Sequence, residues 1–435
     1  MELVPGFAAL LQPFAVTMTT PTFDSFLTIA TGWVLAGRHT VTRMILAAGD
    51  SADKHYSSYH RVFSAARWSL DRAGLALFDR IAPWLESNAL LALDDTLARK
   101  RGRKMFGCGM HHDPLLSTRN KAVLNWGHSW VVLGVIVELP FRPGHYYCLP
   151  ILFRLYLNRA KAAKHRRVYR TRPELAVAML TTLCNHRENR RFHVVADSAY
   201  GGQSVLNHLP KNCDLTSRLL MDARLYDAPP ERKPGTNGRP RKRGDLLASP
   251  AAMLAERCRH VSFAIYGRTE QARVADCEAR VHKAPDRPLR IVAVEPLTGG
   301  RQRQAFYSTC HHATAQQVIA WYASRWSIEV AFHDGKQHLG FQEPQGWSRP
   351  AVERTAPVAM LLYSLIVLWF AREGHRHYRP LDCPWYKSKA DPSFADMLAT
   401  LRRVSVRRKV LSLALRGPGS RKVRQLLENA YAAAA

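Results

Sequence analysis

Between Tyr322 and Lys336 the chain reads YASRWSIEVAFHDGK, and its polar residues Tyr322, Arg325, Glu329 and Lys336 stand at offsets of 0, 3, 7 and 14. At about 100° per residue these fall within roughly 60° of one another on a helix. A second set, Trp321, Ile328, Phe332 and Leu339, spans about 40° beside the first. The spacing therefore predicts one helix over Ala315–Leu339, with an apolar ridge to bury and a polar stripe aimed into a cleft. An acid flanked by two cations and a phenol suits a metal-binding carboxylate working on a phosphodiester, with Arg325 and Lys336 on neighbouring phosphates. A solvent-facing charge ladder has the same spacing, so the rest of the chain has to decide.

Charge narrows the partners. The 435 residues carry 63 Lys+Arg against 34 Asp+Glu, a net +29, while 47% of residues are hydrophobic. Such a surplus is costly in self-repulsion unless a polyanion offsets it, which points to nucleic acid. The length predicts two or three domains. The eight cysteines include no CxxC pair, an arrangement of a reducing cytoplasm rather than of a zinc ribbon. No basic start followed by a long apolar run marks a secretory signal. The most apolar segment, Ala356–Ala371, has 16 residues, short for a membrane span and fit for a buried helix. A cytoplasmic protein without membrane contact is expected.

Along the chain the texture changes. Phe26–Leu35, His39–Ala48, Tyr56–Ala66 and Trp68–Trp84 read as short helices with Arg38, Arg43, Lys54 and Arg61 exposed, as in a compact DNA-binding module or an ordinary helical bundle. Leu90–Leu93 then reads as a short strand ending in Asp94-Asp95-Thr96, before a basic loop, RKRGRK. Strands Ser129–Leu139 and Tyr146–Tyr156, helix Pro173–Leu183, strand Phe192–Ala196 ending in Asp197, helix Gln203–Leu209 and strand Asp214–Leu220 form a mixed α/β layer. Pro229–Asp245 is Pro/Gly-rich and basic. Within it Arg239, Arg241 and Lys242 suit a narrow minor groove, and equally a charged loop touching phosphates without selectivity. Strand-like runs at Val261–Tyr266, Leu289–Val294 and Ala305–Ser308 look like an insertion in the α/β core. The domains expected are 1–88 (helical, DNA-binding), 89–222 (first part of the core), 223–310 (β-rich insertion with the basic loop), 311–372 (final core helices) and 373–435 (basic, helical).

Two acids after buried strands, Asp94 and Asp197, and one on a late helix, Glu329, can converge at the edge of such a sheet. Their hard oxygens favour Mg²⁺ or Mn²⁺. Singly, an Asp after a strand is more often a turn or cap residue. With these residues in view, the chain resembles bacterial insertion-sequence transposases of the DDE class, in the cut-and-paste branch marked by Y-x2-R-x3-E-x6-K. Tyr322, Arg325, Glu329 and Lys336 match every gap, LALDDT around Asp94 resembles the family's first-acid strand, and VVADSAYG around Asp197 its second. The similarity runs over roughly residues 20 to 370.

The resemblance implies an RNase H-like mixed sheet with a β-rich insertion between the second and third acids. It implies catalytic and metal-binding roles for Asp94, Asp197 and Glu329, with two Mg²⁺ ions shared among them, and phosphate contacts for Arg325 and Lys336; the place of Tyr322 on the same face favours a DNA phosphate contact for its phenol over a recombinase nucleophile. It also implies movement of an element by cleavage and strand transfer at its terminal inverted repeats, through hairpin ends. Asp94 and Asp95 face opposite sides of a strand, and only one reaches the metals. Asp94 is favoured and Asp95 is the fallback. Trp126, Trp130 or Trp326 could stack on a flipped base. Because two ends must be cut and joined, a homodimer on double-stranded terminal-repeat and target DNA is expected, working on the bacterial nucleoid. A DNA-binding protein or repressor that keeps the fold without cutting, or a host nuclease, are the other readings.

Overall fold

The computed structural model describes residues 3–113, 115–118, 120–231, 241–265, 268–282, 284–297, 302–380 and 391–414. Its centre is β1, Asn88–Arg99. This strand is longer than the apolar run Leu90–Leu93 predicts, so Asp94 and Asp95 lie within it and not at its end. On one side it pairs antiparallel with β3 (Leu124–Glu138), from Leu91 opposite Val135 to Arg99 opposite Gly127; β2 (Gly109–His112) and β4 (Tyr146–Tyr156) both pair antiparallel with β3. On its other side β1 runs parallel to β5 (Arg191–Ala196), which runs parallel to β6 (Cys213–Leu219). The order β4-β3-β1-β5-β6, antiparallel then parallel, is consistent with an RNase H-like nuclease fold.

Beyond β6 the same sheet continues. Strands β7 (Leu225–Tyr226), β8 (Leu246–Leu247), β9 (Arg259–Ile265), β10 (Arg268–Val281), β11 (Ala284–Pro296) and β12 (Gln304–Ser308) follow in the chain. In space β12 pairs antiparallel with β6, then come β11 and β10, so 12 strands form one sheet among the described residues. Residue Arg239 of the basic loop lies outside the described residues.

The helices Thr20–Leu35, Val41–Ala48, Tyr56–Ser64 and Leu70–Ile81 stand where the sequence predicts four helices, though the first begins six residues before Phe26 and the last is shorter than Trp68–Trp84. Thr40 and Ser69 accept from the backbone N–H groups of Arg43 and Arg72 and so start two of them. They do not stand apart from the sheet. Trp33 Nε1 donates to the Leu339 carbonyl at 2.9 Å, and Arg354 donates to the carbonyls of Phe63, Ala66 and Trp68. Arg354 belongs to the helix Arg349–Arg372, whose residues 355–371 are all buried. This helix is long and apolar enough to cross a membrane, but 94% of its most apolar window is buried inside the fold. It is the core helix that the short apolar segment suggests.

Helix Leu70–Ile81 meets β4 at Gly74. A Cβ there would come 2.0 Å from the Ile151 carbonyl oxygen, a backbone atom that cannot step aside. Gly74→Ala is therefore expected to cost about 3 kcal/mol, whereas Gly37→Ala, with nothing within 4 Å, should change stability little. Urea midpoints of the two variants check this contrast.

Candidate active site

The register of the two parallel strands sets the site. Their pairing ends at Leu93 opposite Ala196, so the next residues, Asp94 and Asp197, emerge side by side. Asp94 turns toward the helix Trp326–His338, which packs on β1 and β4. Arg325, at the head of that helix, puts Nη1 2.5 Å from Asp94 Oδ2 and Nη2 2.8 Å from Glu329 Oε1. The side chains of Arg325 and Asp94 are only 14% and 15% exposed. Burial raises the Asp94 pKa to about 7, against the pull of Arg325 and with a push from Asp197. Burial also raises Asp197. Asp197 Oδ1 accepts from Ala199 N at 2.9 Å, capping the turn Ser198–Tyr200.

Asp95 points to the other face, as strand alternation requires. Tyr200 Oη donates to its Oδ1 at 2.9 Å, and Arg172 Nε lies 3.3 Å from its Oδ2. Arg172 also donates to Ser129 Oγ and lies over the Tyr156 ring. Asp94 thus faces the helix that carries Glu329, whereas Asp95 is held by Tyr200 and Arg172. Sequence reading missed the Asp95–Tyr200–Arg172 network. Its one available signal is Tyr200, three residues after Asp197.

The long helix expected over Ala315–Leu339 is in fact two, Ala315–Ser324 and Trp326–His338. Around the break Arg325 N donates to the Tyr322 carbonyl and Ile328 N to the Arg325 carbonyl, bonds three residues apart that tighten the turn. The polar stripe is accordingly spread out. Tyr322 stacks on Phe306 of β12 with ring centres 4.4 Å apart. It lines a cavity of about 550 Å³ with Phe263, Val294, Phe306 and Trp326. Lys336 lies further along, where burial and nearby Arg99 lower its pKa to about 8 while Asp113 opposes the shift. Its ammonium pairs with no carboxylate among the described residues.

The apolar stripe behaves as expected: Ile328, Phe332 and Leu339 are buried, and Trp321 stacks on His193 at 4.0 Å. Of the three candidate stacking rings, Trp130 is 1% exposed and is core, Trp126 donates to the Gly102 carbonyl, and Trp326 is 53% exposed at the cavity rim. Arg241 pairs with Asp245 at 3.4 Å and Lys242 is exposed. No contact joins either to the acids among the described residues.

The donor set Asp94, Asp197 and Glu329 has the hard-oxygen chemistry that Mg²⁺ or Mn²⁺ prefers. Its arrangement does not form the expected shared cage: among the described residues no three Asp, Glu, His or Cys side chains lie close enough to hold a metal ion. Instead the Arg325 guanidinium stands between Asp94 and Glu329 and supplies the positive charge that these acids require. The reason is electrostatic, since buried carboxylates without a counter-charge are costly.

Asp94 and Asp197 thus follow the last paired residues of two adjacent parallel strands, and the covering helix adds Glu329 and Lys336 with Arg325 at its head, on a mixed sheet consistent with an RNase H-like nuclease. The chain matches the family model of the DDE superfamily endonucleases over residues 17–280, more than half its length, and belongs to that family. No curated protein matches it. The matched span carries Asp94 and Asp197. Glu329 lies beyond it and stands on geometry.

Proposed function

We propose that this protein is a DNA transposase that cuts at terminal inverted repeats and transfers the strand ends, with Asp94, Asp197 and Glu329 as its catalytic acids. The observation that carries this reading is the meeting of Asp94 and Asp197 at the end of the β1–β5 pair, under a helix that brings Arg325 and Glu329 to Asp94. Membership of an endonuclease family and a net charge of +29 support it. Arg325, once drawn from between the acids by a phosphate, would hold that phosphate at the cutting point. Lys336, two turns along the helix, would take a second phosphate, and an ammonium without a carboxylate partner is suited to that. Mg²⁺ or Mn²⁺ is the ion such carboxylates select, and it would activate water or a 3′-hydroxyl for in-line attack.

The helices of residues 1–88, and Arg239, Arg241 and Lys242 of the basic loop, belong to the DNA-binding surface in this reading. The rest of the division follows the same lines: core in 89–222 and 311–372, an insertion at 223–310 and a basic region at 373–435. The place of action is the bacterial nucleoid. Hairpin ends are the expected intermediates. Cutting of a labelled duplex bearing the inverted repeats that flank the gene, with Mg²⁺ present, tests the reading. Sedimentation of the DNA-bound protein should give two subunits per paired-end complex, and a single subunit would contradict the dimer.

One observation favours a second reading, a DNA-binding protein that keeps the fold without cutting: the acids are already neutralised by Arg325. Binding of the repeats with no nick in Mg²⁺ or Mn²⁺ would select it. Cutting without preference for the repeats would select a host nuclease.

A further inference from the structure

Beyond Lys336 lies a second cavity, of about 470 Å³, lined among others by Arg38, Arg99, Lys100, Arg101, Glu343 and Trp347. Its walls are pinned. Lys100 Nζ donates to the carbonyls of Gln342 at 2.7 Å and Pro344 at 2.8 Å, and Arg99 Nε to Asp113 at 2.6 Å. Glu343 accepts from His39 N, and Phe106 N donates to the Trp347 carbonyl at 3.1 Å. Three ionic groups of the lining are thus committed to the protein itself. Arg38 and Arg101 are exposed and pair with no carboxylate among the described residues.

Trp347 is the unusual member. Its backbone is fixed, yet the residue is 67% exposed beside these cations. An indole so placed loses the burial that normally stabilises it and offers a flat face to a partner. Bases stack on such a face whatever their identity, provided they are not already stacked in a duplex. The cavity has room for one base and not for a stretch of double helix.

The position fits the strand that the acids would cut. Arg99 is five residues beyond Asp94 on β1, about 17 Å away at strand rise. Lys336 is seven residues beyond Glu329, about 10 Å at helix rise. A path from the acids past Lys336 to Arg99 therefore leads to the cavity within a few nucleotides.

We propose that this cavity is a subsite for one unpaired nucleotide of the bound DNA, its base on Trp347 and its phosphate between Arg38 and Arg101. The inference rests on the reading of the protein as a DNA-processing enzyme and adds a recognition site outside the acids. It makes the protein sensitive to single-stranded character at the DNA end.

The test compares the full-length protein binding a blunt fluorescein-labelled duplex with the same duplex carrying a short 3′ thymidine tail, by anisotropy at fixed salt. The tail should tighten binding about tenfold. Trp347→Ala should erase that gain, and Trp347→Phe should keep most of it. Arg38→Gln combined with Arg101→Gln should lower the salt slope for the tailed duplex by about two. A gain that survives Trp347→Ala, or wild-type protein that binds both duplexes equally, overturns the subsite while leaving the DNA reading intact. Wild-type protein that binds neither duplex overturns the DNA reading and the subsite with it.

Discussion

Asp197→Asn is expected to lower strand cutting at least about a thousandfold while binding of the DNA end stays within about twofold of wild type. Asparagine keeps the oxygen that accepts from Ala199 N, so the turn Ser198–Tyr200 remains capped. It removes the charge alone. Asp197→Ala removes both and should additionally cost about 1 kcal/mol of stability, with the same loss of cutting. If Asp197 were only a cap, the two variants would separate: Asn would cut and Ala would not. If it served the DNA surface, binding would fall in step with cutting. Nicking of a labelled end in Mg²⁺, read beside a gel-shift titration, distinguishes these outcomes.

How far the sequence carried this site depends on what kind of signal each part leaves. Asp197 was legible because Phe192–Ala196 is a run apolar except for His193 and buried on both faces, which stops at the acid. Asp94 was legible as an acid but misplaced at a strand end. Past Leu93, β1 loses its neighbour β5 and keeps only β3, so the half-covered stretch DDTLAR reads as polar although it stays in the sheet. Strand β10 was missed for a related reason: its inward positions include Ala272, Val274 and Ala279, too small and too interleaved with charge to show a β period.

The break at Arg325 had no local mark at all. No Gly or Pro occurs between Ala315 and Asp334, and only the pairs to Asp94 and Glu329, the former 231 residues away, distinguish that residue. A constellation held by long-range ion pairs is legible in its residue types, and its closure by Arg325 is a tertiary fact.

That closure carries the second large effect. Arg325→Gln is expected to destabilise the metal-free protein near pH 8 by about 1.4 kcal/mol more than near pH 5, because without its counter-charge the buried Asp94 must keep a proton that it gives up in the wild type above about pH 7. The groups facing Asp94 make matters worse: Asp197 and Asp95 on the sheet side, Cys148 on β4 and Glu329 on the helix bring negative or neutral character only. The pH dependence has a definite sign. The folded pKa of Asp94, about 7, lies above its unfolded value near 4, so its contribution is fully present below about pH 4 and is lost as pH rises through about 7. Without Arg325 the folded pKa rises further, and the loss at high pH grows. The gap between variant and wild type should therefore be small near pH 5 and largest near pH 8. Adding Asp94→Asn to Arg325→Gln should recover most of the deficit near pH 8, since no uncompensated charge then remains. Urea midpoints over this range with chelator present measure all three proteins. A deficit equal at every pH, and untouched by Asp94→Asn, would mean that Arg325 matters for its packing and not for holding the buried acid ionised.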